Sequence, residues 1–184
     1  MPPHIVVIYV VSLQFHLNSY DNKHDVQQAI QYMRFVGGRT HTAQALRLAR
    51  ESSFTAAHGA RDSVPRYAFV ITDGNSNINQ QRTIPEAIEI RAAGVHVFTV
   101  SVGTFVNQIE LKGIASQKQS DNMFNVSSFH GLPGLVSSMP GLVCNGECCI
   151  DDYTYIVSAI CSTLRTYYTL SLYMYRNVFL SLFD

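Results

Sequence analysis

The apolar positions of this chain gather into short runs separated by polar loops, and the spacing differs from run to run. Ile5 to Val11 is a continuous apolar, β-prone stretch, and so is Tyr67 to Thr72. Runs of this length without alternation predict strands buried on both faces, as in a parallel sheet covered by helices. Leu13, Phe15 and Leu17 instead alternate with Gln14, His16 and Asn18, which predicts a strand with one wet face. It would pair with Ile5–Val11 as a hairpin, although Val11-Ser12 offers neither Gly nor Asn for the turn. Beyond the turn at Asn18–Asn22, Val26, Ala29, Ile30 and Met33 form an i, i+3, i+4, i+7 stripe. That stripe predicts a helix ended by Gly37-Gly38. Ala43, Ala45, Leu46, Leu48 and Ala49 predict a second helix, with Thr40-His41-Thr42 placed for Ser/Thr capping.

After Tyr67–Thr72 the pattern becomes regular. Ala87, Ile88, Ile90 and Ala92 predict a helix with Pro85 near its start and Gly94 as its stop. Val95 to Val102 predicts a strand, Ile109 to Ala115 a short helix, Met123 to Val126 a brief strand, and Leu132 to Val136 a last helix. Strand, helix, strand, helix, strand, helix is the signature of βαβ crossovers. The fold class expected is therefore α/β, a doubly wound and mostly parallel sheet flanked by helices. From about Ile150 the pattern dissolves into a Tyr-rich apolar tail. Ile156 to Phe183 has the length to span a bilayer, but Arg165 and Arg176 interrupt it, so an irregular tail is expected instead.

Composition narrows the function classes. Thirteen basic and thirteen acidic residues balance, so nothing points to nucleic acid or an anionic membrane. The four cysteines, Cys144, Cys148, Cys149 and Cys161, all lie near the C-terminus, which is not the pattern of a small disulfide-stapled scaffold. No signal peptide is visible at Met1–His4.

Candidate chemistry is sparse. The chain has no dinucleotide or phosphate-loop glycine motif, no Gly-x-Ser-x-Gly and no zinc-type His or Cys spacing. Asp73 closes the Tyr67 run where open α/β sheets place their ligands. It also precedes Gly74, and Asp-Gly is an ordinary turn pair. Thr40 and Thr42 offer hydroxyls beside Gly37-Gly38, and by themselves they read first as caps of the second helix. If the two loops share a rim, their oxygens suit a hard cation such as Mg²⁺. Asn125-Val126-Ser127 fits a glycosylation acceptor.

The segments Leu17–Tyr20, "IQYMRFVGGRTHT" at 30–42 with "AQAL" after it, and "FVITDGNSN" at 69–77 together resemble the von Willebrand factor type A domain family. "EIRAAGVHVFTVSVG", "IELKGIAS" and "MFNVSSFHGL" continue the resemblance over roughly Leu13 to Val143. It is nearest to the domains of matrilins and the collagen VI group. The resemblance implies a metal-ion-dependent adhesion site in which Thr40 is the loop threonine and Asp73 the strand-end aspartate. A Mg²⁺ or Mn²⁺ held there would accept a carboxylate from a partner, a matrix or cell-surface protein such as collagen. Ser76 would line the site without being assigned to it. The resemblance also implies an extracellular parent protein and a disulfide position at Cys144.

One departure stands out. The family's Asp-x-Ser-x-Ser set does not occur in this chain, and Ile5–Val11 falls where the family's second strand would be. The expectation is a partial domain over 1–143, lacking the central first strand, followed by a Cys- and Tyr-rich tail over 144–184. Tyr67–Thr72 would then lack a partner on one edge, at about 1–3 kcal/mol for each unsatisfied buried group, unless Ile5–Val11 slid into the vacant place. Cation binding by Thr40 and Asp73 alone would be weak or absent. The function expected is a non-enzymatic adhesion module; the alternatives are a fragment without independent function and a metal-dependent phosphohydrolase using Asp73.

Overall fold

The structure is a computed structural model that describes residues 11–32, 39–62, 65–136 and 178–183. Three parallel strands form its centre. β1 (Arg66–Thr72) pairs with β2 (Val95–Val102), which pairs with β3 (Met123–Val126). Between β1 and β2 runs α3 (Thr83–Ala92), and between β2 and β3 run α4 (Gln108–Ile114) and α5 (Gln119–Asn122). This is the expected α/β alternation with its parallel sheet. α5 is a four-residue turn of helix that the apolar pattern had not marked, because QSDN carries no apolar stripe.

Alternation along β1 sends residues to opposite faces. Phe69 and Ile71 join Phe98, Val100, Val102, Val126 and Leu132 on one face, against α6 (Leu132–Val136). Ala68 and Val70 join Val95, Val97, Ala87, Ile90 and Leu46 on the other, where α3 and α2 (Thr42–Leu48) pack. The register Phe69↔Phe98 stacks two rings with centroids 4.7 Å apart. Ile90 is fully buried, and burial of such a side chain stabilises by about 1.5–3 kcal/mol. Both faces of β1 are thus covered, which is why its run is continuous rather than alternating.

The fourth strand revises the expectation for the tail. β4 (Val178–Phe183) lies antiparallel on the free edge of β1, with Val70↔Leu180 at the middle of the register. The sheet order is β3-β2-β1-β4. The place expected to stay vacant, or to receive Ile5–Val11, is held by residues from the C-terminal segment. An antiparallel strand needs no helical crossover, so a long tail can deliver it from any direction.

The N-terminal part differs too. Leu13–Leu17 is not in a strand. Its alternation survives only as exposure, with Leu13 and Phe15 partly buried and Gln14 exposed. Of the partner expected for it, Ile5–Val11, residues 5–10 lie outside the described residues, as does Gly37-Gly38. α1 (Lys23–Gln31) forms on the predicted stripe, but its C-cap is Tyr32 rather than Gly37-Gly38; at its start the Asn22 side chain accepts from the Asp25 N–H at 3.0 Å. α2 starts differently from expectation. Its cap is the His41 ring, whose Nδ1 accepts from the Gln44 N–H at 3.0 Å, not a threonine hydroxyl. It then continues into a π-helical turn over Ala49–Ser53. Pro85 sits in the first turn of α3, where a missing N–H costs little. Gly94 ends that helix with φ of 83°, a conformation glycine adopts without a Cβ clash.

Candidate metal-site rim

Asp73 follows the last residue of β1, at the C-terminal rim of the parallel strands. The turn it occupies is fixed by Thr72, whose Oγ1 donates to Gly74 O at 2.9 Å and accepts from Gly74 N–H at 3.2 Å. Asp73 is partly buried, with Oδ1 away from solvent.

Thr40 arrives from the other loop and is buried, at 2 % exposure. Its carbonyl accepts from the Asn77 and Ile78 N–H groups at 3.0 and 3.1 Å. Its own N–H donates to Asn77 Oδ1 at 3.0 Å. Ser76 Oγ lies 3.5 Å from the same carbonyl, and Arg39 Nη2 donates to Asn77 O at 3.1 Å. The loop after Asp73 is therefore laced onto the Thr40 segment. His41 adds a further tie, with Nε2 3.4 Å from Asn79 Nδ2. Since His41 caps α2, the threonine hydroxyls are not needed for that task.

A third element braces the loop from beneath. Asn107 caps α4 through Oδ1, which accepts from the Ile109 and Glu110 N–H groups at 3.0 and 3.2 Å. Buried Glu110 then accepts from Ser76 N–H at 3.2 Å and Gln80 Nε2 at 2.8 Å. Asn77, Glu110 and His41 were not among the residues singled out from sequence. Asn and His in loops carry no periodic signal, and Glu110 reads as one polar position of an amphipathic helix.

The donor set decides what such a rim suits. Thr40, Asp73, Asn75 and Ser76 would offer a cation side-chain oxygens, and Asn75 Oδ1 is buried with no hydrogen-bond partner among the described residues. An oxygen set with one carboxylate fits a hard cation that keeps several waters, as Mg²⁺ does. Among the described residues no three His, Cys, Asp or Glu side chains cluster for a metal. Asn125 lies exposed on β3, and Ser127 is exposed after it. Cys144 lies outside the described residues.

Comparison with known proteins identifies the family. The family profile of the von Willebrand factor type A domain matches residues 9–138. Matrilin-1 of Gallus gallus is 32% identical over 137 residues, 74% of this chain and 27% of that protein. The collagen alpha-5(VI) chain of Homo sapiens is 35% identical over 135 residues, 72% of this chain and 5% of that one. This chain thus spans about a quarter of the matrilin and a twentieth of the collagen. A solved structure of proximal thread matrix protein 1 from the mussel byssus, with a zinc-occupied MIDAS motif, is similar at 31% identity and a TM-score of 0.62. That match covers 71% of this chain and 32% of the mussel protein. With its parallel sheet, its flanking helices and a profile match over most of its length, the chain belongs to the von Willebrand factor type A domain family.

Proposed function

We propose that this chain is a matrix protein-binding module, non-enzymatic, whose Thr40–Asp73 rim holds Mg²⁺ or Mn²⁺ weakly and mostly through water. The observation that carries the reading is the lacing of Thr40 to Asn77 and Ile78, which ties the threonine loop to the loop that leaves Asp73. A bound cation would present an open position to a carboxylate of a matrix or cell-surface protein such as collagen. One carboxylate among the rim oxygens implies low affinity, because charge from the protein is what offsets dehydration of the ion. The matrilin and collagen relatives support an extracellular matrix setting for the parent protein. Exposed Asn125 would then be available for glycosylation and Cys144 for disulfide pairing. Residues 1–143 would form the body of the domain, and 144–184 the segment that lends it β4.

The phosphohydrolase reading gains no support at the rim. Glu110, the other carboxylate reaching this loop, engages Ser76 N–H and Gln80 Nε2 with its two oxygens, so it offers no second catalytic group. Isothermal titration of the chain with MgCl₂ and MnCl₂ tests the proposal. Saturable heat that disappears in both Asp73→Ala and Thr40→Ala supports it; heat that both variants retain removes the rim from the site. A cooperative thermal transition of the same preparation argues against a fragment without independent function.

A further inference from the structure

A cavity of about 380 Å³ opens between the segment preceding α1 and α1 itself, apart from the Thr40–Asp73 rim. Phe15, Tyr20 and Tyr32 supply aromatic walls, and Gln14, Gln28 and Asp25 supply polar ones. Phe15 and Tyr20 meet edge to face, with centroids 5.5 Å apart and planes at 74°, so each ring steadies the other. Tyr32 follows the last turn of α1 and is 79 % exposed. Its backbone N–H is nevertheless fixed on Gln28 O at 3.0 Å.

Asp25 supplies the one carboxylate among the lining residues. Asn22 orients it twice: Nδ2 donates to Asp25 Oδ2 at 2.9 Å, and Oδ1 accepts the Asp25 N–H. Gln28 is set by His24, with Nε2 atoms 3.0 Å apart. The result is an open aromatic cup with a fixed carboxylate in its wall.

We propose that this cup receives the arginine side chain of a protein partner. The faces of Phe and Tyr rings attract a cation, and a planar guanidinium both stacks on rings and forks onto a carboxylate. The amide oxygens of Gln14 and Gln28 are acceptors for its remaining N–H groups. An apolar occupant would make no use of the Asp25 carboxylate, and an anionic occupant would meet like charge. The chemistry therefore selects a cation with a flat, donor-rich head.

The test follows the Tyr20 and Tyr32 ring resonances of the full chain by NMR, in excess EDTA so that the rim plays no part. The probes are acetyl-Gly-Arg-Gly-amide and its citrulline counterpart, which keeps the shape and loses the charge. Saturable shifts with arginine, at least about tenfold stronger than with citrulline, are expected. Asp25→Asn should bring the arginine response down to the citrulline level, and Tyr20→Leu should weaken it. Equal responses to the two peptides, no saturable shift with arginine, or full binding by Asp25→Asn would each overturn the proposal. The arginine–citrulline comparison needs only the unaltered chain, so it stands whatever the variants do to folding.

Discussion

Thr40 and Asn77 exchange hydrogen bonds in both directions: the Thr40 N–H donates to Asn77 Oδ1, and the Asn77 N–H donates to Thr40 O, each at 3.0 Å. Thirty-seven positions apart in sequence, the two act as one clasp. Asn77→Ala leaves the buried Thr40 N–H without its side-chain acceptor. A stability loss of about 1–3 kcal/mol is expected, read as a lower urea midpoint with an unchanged slope. Asn77→Asp keeps the acceptor and should retain most of the stability.

Pairing of β4 with β1 predicts where protection from solvent originates. Leu180→Pro, at the centre of the β1–β4 register, fixes φ at about −65°, away from the extended value of a β-strand, and so weakens the pairing. Amides of Ala68 to Thr72 should then exchange faster with deuterium than in the unaltered chain. Unchanged exchange across β1 would mean that the edge does not depend on Val178–Phe183.

Gly59 and Gly94 separate two costs that are usually mixed. Both have positive φ, 99° and 83°. A Cβ on Gly94 would meet nothing within 4 Å, whereas one on Gly59 would lie 2.8 Å from the backbone nitrogen of Asn18. Gly94→Ala is expected to cost about 1–2 kcal/mol from left-handed backbone strain alone. Gly59→Ala should cost more, because His16 stacks on His58 at 3.7 Å and holds the two segments together. Thermal unfolding of the two variants side by side gives the difference.

Glu51 carries a pH signature. The Arg47 side chain, bonded to it at 2.9 Å, holds its carboxyl below the ordinary carboxylate range. A lowered folded value means that the pair contributes above the unfolded pKa of glutamate and that the contribution is lost as pH falls through the folded one. Both side chains are exposed, so the effect is small and salt-sensitive. Glu51→Gln should leave the neutral-pH melting temperature nearly unchanged while flattening its decline in acid.

The sequence by itself determined the parallel core. Continuous runs at Tyr67–Thr72 and Val95–Val102, with helical stripes between them, leave few other ways to bury so much apolar surface, and Gly94 marks a helix end by local chemistry. It also marked Asp73 and Thr40, because a strand end and a glycine-rich loop are local features. Tertiary structure alone decided what stands beside β1: strand pairing depends on which edge is open, and nothing inside Val178–Phe183 names its partner. The clasp was equally hidden. Asn77, His41 and Glu110 matter through hydrogen bonds to residues 30 or more positions away, and a polar side chain in a loop or on a helix gives no sign of so distant a partner.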